Sequence, residues 1–188
     1  MTRLLSETLA AIGPLDGAAM EAARARQREL TKPEGSLGRL EELAVRLAGI
    51  SGLARPRVSR PAIITMAGDH GVACQGVSAY PPEVTPQMVA NFLSGGAAIN
   101  VLARQVGARV VVADFGVATP GPVVAGLVDR RLGLGTANFA RGPAMSREQA
   151  TAGIEAGVGL VEAAAADGAD LVVTGEMGIG NTTAASAI

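Results

Sequence analysis

The chain has 188 residues, of which 48% are hydrophobic and 18% are charged, and its formal net charge is -1 at pH 7. This composition predicts one globular domain with at most a small appendage, and it excludes a disordered chain. The balanced charge offers no electrostatic basis for nucleic-acid binding. Because no apolar run is long enough to span a membrane and the N-terminus lacks the apolar core of a signal peptide, we expect a cytoplasmic protein without membrane partners.

Few residue types are available for metal or redox chemistry. The only cysteine, Cys74, rules out an internal disulfide and a cysteine-based zinc site. Cys74 is either a reactive thiol or a small structural residue, and we favour the structural role. His70 is the only histidine, and the sequence supplies no cluster of nitrogen and carboxylate ligands around it. We therefore expect neither a metal site nor a cofactor.

The first 58 residues are predicted to be helical. Helix is expected over residues 1 to about 30, with Asp16 capping its second part, until Lys32-Pro33 breaks the chain. Ser36 is predicted to cap a second helix that ends at Gly52. The apolar residues of this second helix recur at helical spacing on one face: Leu37, Leu40, Leu43, Leu47 and Ile50. Since both helices precede the first strand, we expect an accessory layer beside a sheet.

Strands and helices alternate over residues 59–188. Short apolar runs predict strands over 62–66, 109–114 and 171–174, with a weaker one over 128–132, and 115–126 is expected to be a loop. Helices are predicted to begin at Thr85 (as N-cap before Pro86), at Ala97, and at the capping box that Ser146 opens. This alternation predicts an α/β fold with a doubly wound, mainly parallel, Rossmann-like sheet.

Acidic residues follow several of these strands. Asp69, Asp114 and Glu176 each lie just after a predicted strand, so they should gather at the carboxyl edge of a parallel sheet, where ligands bind. For Asp69, a structural role in its loop and a contact with ligand both remain open. Three glycines in the last predicted helix but one, Gly153, Gly157 and Gly159, indicate close packing against the sheet or a second subunit.

The stretch 171–183 is the strongest candidate for ligand binding. An apolar, β-branched run turns through Gly175, Gly178 and Gly180 into small residues that suit a packed helix. Such a turn exposes N–H groups to an anion, and the helix N-terminus adds positive charge. The alternative is an ordinary turn without ligand, since glycine-rich βα turns are common, and the stretch matches neither the Walker nor the GxGxxG pattern. Because Glu176 would repel a phosphate, it should face a ribose or a base N–H, or only brace the loop.

The run Gly-Glu-Met-Gly-Ile-Gly-Asn-Thr-Thr (175–183) resembles the nicotinate-nucleotide–dimethylbenzimidazole phosphoribosyltransferase family, which makes the lower-ligand nucleotide of cobalamin. Four other stretches fit the family in the same order: Lys-Pro-Glu-Gly-Ser-Leu-Gly-Arg-Leu (32–40), Ala-Gly-Asp-His-Gly-Val (67–72), Val-Ser-Ala-Tyr-Pro running on to Gln-Met (77–88), and Gly-Thr-Ala-Asn with Gly-Pro-Ala-Met (135–145). Motifs in a shared order are far more specific than one glycine loop.

The resemblance implies transfer of 5-phosphoribosyl from nicotinate mononucleotide to 5,6-dimethylbenzimidazole, in a homodimer. It implies that phosphate and ribose are bound by Gly178, Gly180, Asn181, Thr182 and Thr183. It implies that the base is bound by Ser78, Tyr80, Gln87 and Met88, where a flat ring, an amide and a soft thioether suit a benzimidazole. Without the resemblance, Tyr80 is as readily interpreted as an anchor of its own loop. Glu176 is the best local base, because the family's general-base glutamate lies past Ile188.

The resemblance also implies a small helical domain built from both chain ends, of which residues 1–58 would be one part. Residues 59–188 would then be the first part of the nucleotide-binding domain, since family members are considerably longer. Lys32 and Arg39 are either within reach of an anionic ligand or ordinary surface charges. Two other functions remain open: a different nucleotide-binding α/β protein, or a fragment that binds ligand without catalysis.

Overall fold

A computed structural model describes residues 2–119 and 125–188 of the chain. The chain divides into two compact units, a helical unit over Arg3–Val58 and an α/β unit that comprises Met1–Thr2 and Ser59–Ile188. The predicted loop over 115–126 lies partly outside the described residues. No helix in the described ranges is long and apolar enough to cross a membrane.

The helical unit contains α1 (Arg3–Ala11), α2 (Gly17–Arg28) and α3 (Arg39–Ser51). The prediction of one helix to about residue 30 was wrong, because Gly13-Pro14 separates α1 from α2 and proline disfavours helix at the residue before it. The predicted cap was right: the Asp16 carboxylate accepts a hydrogen bond from the Ala19 N–H at 2.9 Å. Helices α2 and α3 approach closely at Gly49, where a Cβ would lie 2.7 Å from Met20 Cγ.

The start of α3 differs from the prediction. Ser36 lies in a turn and caps nothing, while α3 begins after Gly38, whose φ is 54°. Glu41 organises the turn instead: its Oε1 accepts hydrogen bonds from the Leu37 N–H at 3.1 Å and from Lys32 Nζ at 2.6 Å. The predicted leucine face remains exposed, and α3 buries Ala48 and Gly49, because α2 packs on that other side.

The α/β unit is built on a four-stranded sheet in the order β3-β2-β1-β4. Its strands are β1 (Pro61–Gly68), β2 (Arg109–Gly116), β3 (Leu127–Asp129) and β4 (Leu171–Met177), and every pairing is parallel. Its α-helices are α4 (Val84–Leu93), α5 (Ala98–Val106), α6 (Arg147–Ala166) and α7 (Asn181–Ser186), with a 3₁₀ helix over Gly71–Gln75 after β1. The four strands were all predicted, although β3 is shorter and the other three are longer than expected.

Helices cover both faces of this sheet. On one face Leu160 of α6 packs with Ile64 and Ala113, and on the other Val89 of α4 packs with Ala67 and Val112. Along β2 and β3, neighbouring apolar side chains belong to opposite clusters, because they point to opposite faces of a pleated sheet. The predicted α/β fold with a doubly wound parallel sheet is therefore confirmed.

Helix α6 confirms the predicted capping box and one of the three predicted close contacts at glycine. Ser146 and Gln149 form the predicted capping box, each side chain accepting a hydrogen bond from the other residue's N–H. Close packing is confirmed at Gly153, where a Cβ would lie 3.0 Å from a Leu132 methyl group. At Gly157 and Gly159 an added Cβ would meet nothing within 4 Å in the described part of the chain, so packing against the sheet does not explain these two glycines and packing against a second subunit stays a prediction.

Candidate functional site

The carboxyl edge of the sheet collects the loops that carry the sequence motifs of the α/β unit. Ala67 in β1 pairs with Asp114 in β2, and Met66 pairs with Glu176 in β4, so both acidic residues lie at this edge. Asp69 follows directly after β1. The predicted gathering of these three carboxylates is confirmed, and it results from parallel pairing, which brings the carboxyl ends of all strands together.

Glycines let these loops pack backbone against backbone. A Cβ on Gly178 would lie 1.9 Å from the carbonyl oxygen of Gly68, and one on Gly71 would lie 2.5 Å from the carbonyl carbon of Ala137. Gly135, at φ 81°, would place a Cβ 2.9 Å from the Asp69 carbonyl oxygen. Since real Cβ atoms do not approach so closely, only glycine fits these positions.

Glu176 lies inside β4 and not in the loop after it. The strand continues because Gly175 pairs with Thr65 and Glu176 pairs with Met66 in unbroken parallel register. The side chain is exposed, and its Oε1 accepts a hydrogen bond from Asn181 Nδ2 at 3.1 Å. Thus Glu176 has a fixed backbone and a carboxylate that remains open to a ligand.

The predicted phosphate residues form one compact turn into α7. Gly178 and Gly180 are buried, Asn181 and Thr183 are half-buried, and Thr182 is exposed. Asn181 Oδ1 accepts a hydrogen bond from the Thr182 N–H at 2.8 Å, and the Thr183 N–H donates to the Gly180 carbonyl at 3.2 Å. An anion at this turn would therefore compete with the Asn181 side chain for the Thr182 N–H.

The predicted base-binding residues lie on the α4 side of the edge. Ser78 and Tyr80 follow the 3₁₀ helix, where Ser78 Oγ accepts a hydrogen bond from the Tyr80 N–H at 3.2 Å, and the Tyr80 residue is 66% exposed. On α4, Gln87 is exposed and Met88 is half-buried. None of these four residues lines the cavity or the cleft described below, so their role stays a prediction.

Thr85 has a role that the sequence did not reveal. The prediction that it caps α4 was wrong, because the helix begins one residue earlier at Val84. Thr85 is 0% exposed, and its Oγ1 accepts a hydrogen bond from the Ile179 N–H at 3.1 Å. No local signal identifies this bond, because its two residues belong to different βα connections.

The buried carboxylates differ in their partners. Asp114 Oδ1 accepts hydrogen bonds from the Gly116 and Val117 N–H groups, and its Oδ2 is 2.7 Å from Arg131 Nη2, so this carboxylate holds the turn after β2. Asp69 is 6% exposed, and its Oδ2 accepts from the Ala118 N–H at 2.8 Å. The other oxygen, Asp69 Oδ1, is buried without a hydrogen-bond partner among residues 2–119 and 125–188.

A cavity of about 580 Å³ opens between α6 and the ends of the strands. Its polar lining residues are Asp69, His70, Thr136, Gln149 and Glu176, and its larger apolar ones are Met66, Phe115, Leu132, Met145, Ile154 and Met177. The lining includes two carboxylates but neither lysine nor arginine among the residues that the structure describes. A mostly apolar cavity of this size with a few convergent polar groups is typical of a small-molecule site.

His70 is half-buried in the wall of this cavity. Burial lowers the pKa of His70 from its usual 6.5, while the negative charges of Glu176 and Asp69 oppose that shift. The imidazole is therefore neutral at pH 7, with one nitrogen able to donate and the other able to accept a hydrogen bond. In the two described ranges no group of three or more His, Cys, Asp or Glu side chains is arranged to hold a metal ion.

Lys32 and Cys74 have local partners. The Lys32–Glu41 ion pair is largely buried, with 14% and 19% of the two side chains exposed, so Lys32 is not an ordinary surface charge. It lines a cleft of about 650 Å³ within the helical unit. Cys74 is exposed, and its Sγ accepts a hydrogen bond from Asn138 Nδ2 at 3.3 Å.

Comparison with known proteins identifies the family. A family model described as phosphoribosyltransferase matches residues 12–188. The chain belongs to this phosphoribosyltransferase family. Nicotinate-nucleotide–dimethylbenzimidazole phosphoribosyltransferases from Roseiflexus sp. (strain RS-1) and Chloroflexus aggregans are each 62% identical to it over 98% of the chain and 52% of their own length. The resemblance seen in the motifs is confirmed.

A solved structure agrees with the family assignment. The crystal structure of the nicotinate-nucleotide–dimethylbenzimidazole phosphoribosyltransferase from Thermus thermophilus superposes with a TM-score of 0.87 at 50% identity. The match covers 92% of this chain and 52% of the Thermus chain. The chain thus spans about half the length of the curated relatives and the solved structure that it matches.

Replacing Gly178 with alanine should distort the edge of the sheet. The new Cβ would collide with the Gly68 carbonyl oxygen, and we expect the free energy of unfolding to fall by about 1–3 kcal/mol. Gly157→Ala is the control, because its Cβ meets nothing within 4 Å and alanine favours helix by about 1 kcal/mol. Urea denaturation of both variants tests this, and equal stability of the two would contradict the proposed contact.

The negative charge of Glu176 should have a measurable effect on the pKa of His70. Since Glu176 opposes the lowering of the His70 pKa, Glu176→Gln should lower that pKa further. A proton NMR titration of the imidazole tests this directly, because the 188 residues contain one histidine. Glu162→Gln, on the exposed surface of α6, should leave the titration unchanged. An unaltered or higher pKa in Glu176→Gln would show that the two groups do not interact.

Protonation of His70 should also change the free energy of unfolding. The folded-state pKa of His70 lies below its unfolded value of about 6.5, so the unfolded chain binds more protons as the pH falls through this range. The contribution of His70 is therefore fully favourable above pH 6.5 and diminishes as the pH decreases towards the folded-state pKa. In urea denaturation, His70→Gln should have a smaller loss of stability than the parent chain over this window.

Proposed function

We propose that the protein transfers 5-phosphoribosyl from nicotinate mononucleotide to 5,6-dimethylbenzimidazole, giving α-ribazole 5'-phosphate and nicotinate for cobalamin biosynthesis. The observation that carries the proposal is the meeting of three of the family's motifs, over 67–72, 135–145 and 175–183, at one edge of the sheet. The relatives with this printed activity support it at 62% identity over nearly the whole chain. Because they are about twice as long, the activity is proposed for the full-length protein.

The reaction makes clear demands on the site. The nicotinate ring of the nucleotide is a pyridinium, which leaves as a neutral ring nitrogen while positive charge develops on the ribose. The benzimidazole attacks through one nitrogen and loses a proton from the other, and a carboxylate can both accept that proton and stabilise the cation. Glu176 suits this secondary role, since its carboxylate is exposed at the cavity and its backbone is fixed within β4.

The lining of the cavity supports a site for developing positive charge. It combines the Glu176 carboxylate with buried Asp69 and a neutral His70, and its described part contributes no lysine or arginine. Preorganised negative charge in a partly apolar site stabilises a cation more than water does. Neither a metal nor a cofactor is part of the proposal, because the phosphate serves as a handle for binding and is not the leaving group.

The substrate subsites are proposed from the family motifs. Phosphate and ribose are assigned to the turn into α7, namely Gly178, Gly180, Asn181, Thr182 and Thr183. The base is assigned to the α4 side, namely Ser78, Tyr80, Gln87 and Met88. The exposure of Tyr80 and Gln87 supports access for a ligand, and the principal general base is assigned to the chain that follows Ile188 in longer relatives.

The organisation of the whole protein is also proposed by this resemblance. Residues 1–58 would form part of a small helical domain, and residues 59–188 would form the first part of the nucleotide-binding domain. The full-length protein would be a cytoplasmic homodimer acting on two small-molecule substrates. Size-exclusion chromatography with light scattering tests the dimer, and a monomeric full-length protein would refute it.

A turnover assay tests the proposed function. The full-length protein is mixed with nicotinate mononucleotide and dimethylbenzimidazole, and the products are separated by chromatography. We expect nicotinate to be released together with a new benzimidazole ribotide. Binding of both substrates without any product would instead favour a ligand-binding protein without catalysis, and absence of binding would refute the assignment.

Glu176→Gln should lower turnover of the full-length enzyme about tenfold or more, because the amide neither accepts a proton nor stabilises positive charge as the carboxylate does. The fold should persist, since the side chain is exposed and its contact with Asn181 can be made by an amide oxygen. Glu162→Gln is the matched control, because Glu162 is exposed on α6 and is not among the residues that line the cavity. Unchanged kinetics in folded Glu176→Gln would show that Glu176 only braces the loop.

A further inference from the structure

Thr85 connects two parts of the site that the chain itself keeps far apart. It lies in the first turn of α4, it is 0% exposed, and its Oγ1 accepts a hydrogen bond from the Ile179 N–H at 3.1 Å. Ile179 is the central residue of the glycine loop, which we define as residues 178–180, and it is itself 8% exposed. A polar bond between two such buried groups has no water to replace it.

The glycine loop is held from two sides. On one side Gly178 rests against the carbonyl oxygen of Gly68, at a distance that leaves no room for a side chain. On the other side the Thr85 hydroxyl holds the Ile179 N–H. The first contact limits how far the loop moves towards β1, and the second fixes its distance from α4.

We propose that Thr85 is a positioning residue that sets the glycine loop at a fixed distance from α4. This inference rests on the proposed function, which assigns the phosphoribosyl group to the turn containing the glycine loop and the base to Gln87 and Met88. Those two residues follow Thr85 by two and three positions on the same helix. Thr85 therefore links the elements to which the two substrates are assigned.

The reaction explains why this distance matters. The new bond joins the ribose to a ring nitrogen of the base, so the two substrates must be held within about 3–3.5 Å of each other. A displacement of about 1 Å can lower the rate a hundredfold, even when both substrates still bind. Loss of the Thr85 hydroxyl should consequently affect kcat more than the KM of either substrate.

Steady-state kinetics of the full-length enzyme test the inference. Thr85→Val keeps the shape of the side chain but leaves the Ile179 N–H buried without an acceptor, and we expect kcat to fall about tenfold or more. Thr85→Ser retains the hydroxyl and should stay within about threefold of the parent enzyme. The matched control is Thr65→Val, the same change at a threonine that is 4% exposed in β1 beside Gly175, and it should stay within about twofold.

Several outcomes would overturn the inference. Parent-like kcat in folded Thr85→Val, or a Thr85→Ser enzyme as slow as Thr85→Val, would show that the hydroxyl does not position the loop. If Thr85→Val does not fold, Thr85→Cys is used, because its thiol is a weaker acceptor of similar size. An intermediate kcat for Thr85→Cys supports the inference, and a parent-like one overturns it. A parent enzyme that forms no product refutes the proposed function, whereas an active Thr85→Val enzyme refutes only this inference.

Discussion

Direct contact between backbone segments at the carboxyl edge of the sheet is the constraint on which the site depends. The Gly68 carbonyl occupies the space that a Cβ on Gly178 would need, and the backbone after Thr136 does the same at Gly71. Without side chains between them, the loops after β1 and β4 and the loop over 133–138 lie close enough to share one cavity. Each glycine loses more conformational entropy on folding than another residue would, but it permits this close approach of the backbones.

The carboxylates at this edge differ in burial, and this difference separates one that stabilises a loop from one that is accessible to a ligand. Asp114 is 2% exposed and is fully occupied by Arg131 and by the N–H groups of the turn after β2, so it stabilises the loop that forms one wall. Glu176 is exposed and accepts a hydrogen bond from Asn181, so its charge is available in the cavity and acts on His70. Asp69 combines both situations, with one oxygen bound to the Ala118 N–H and the other without a described partner. This distribution concentrates negative potential where positive charge would develop in the proposed reaction.

In the helical unit, the motif over 32–40 makes its contacts within the unit itself. Its motif residue Lys32 is neutralised by Glu41 in a largely buried pair, and that same carboxylate holds the turn before α3. The motif over 32–40 thus builds a turn within its own unit. Its leucines, Leu37 and Leu40, remain exposed, since α2 packs on the side of α3 that carries Ala48 and Gly49.

The sequence by itself determined the order of strands and helices, the caps at Asp16 and Ser146, the parallel sheet and the family. These features depend on local hydrophobic period, on side chains that bond to nearby N–H groups, and on motifs of contiguous residues. Predictions from local patterns were wrong at three places. Pro14 divides the predicted first helix, Glu41 and not Ser36 holds the turn before α3, and strand pairing extends β4 through Glu176.

Only the tertiary structure decided which polar groups meet. The Thr85–Ile179 hydrogen bond, the effect of the Glu176 charge on the pKa of His70 and the close approach of Gly178 to the Gly68 carbonyl each join residues that lie far apart along the chain. No period or propensity encodes such distances, because they arise when the sheet aligns the ends of strands that lie far apart along the chain.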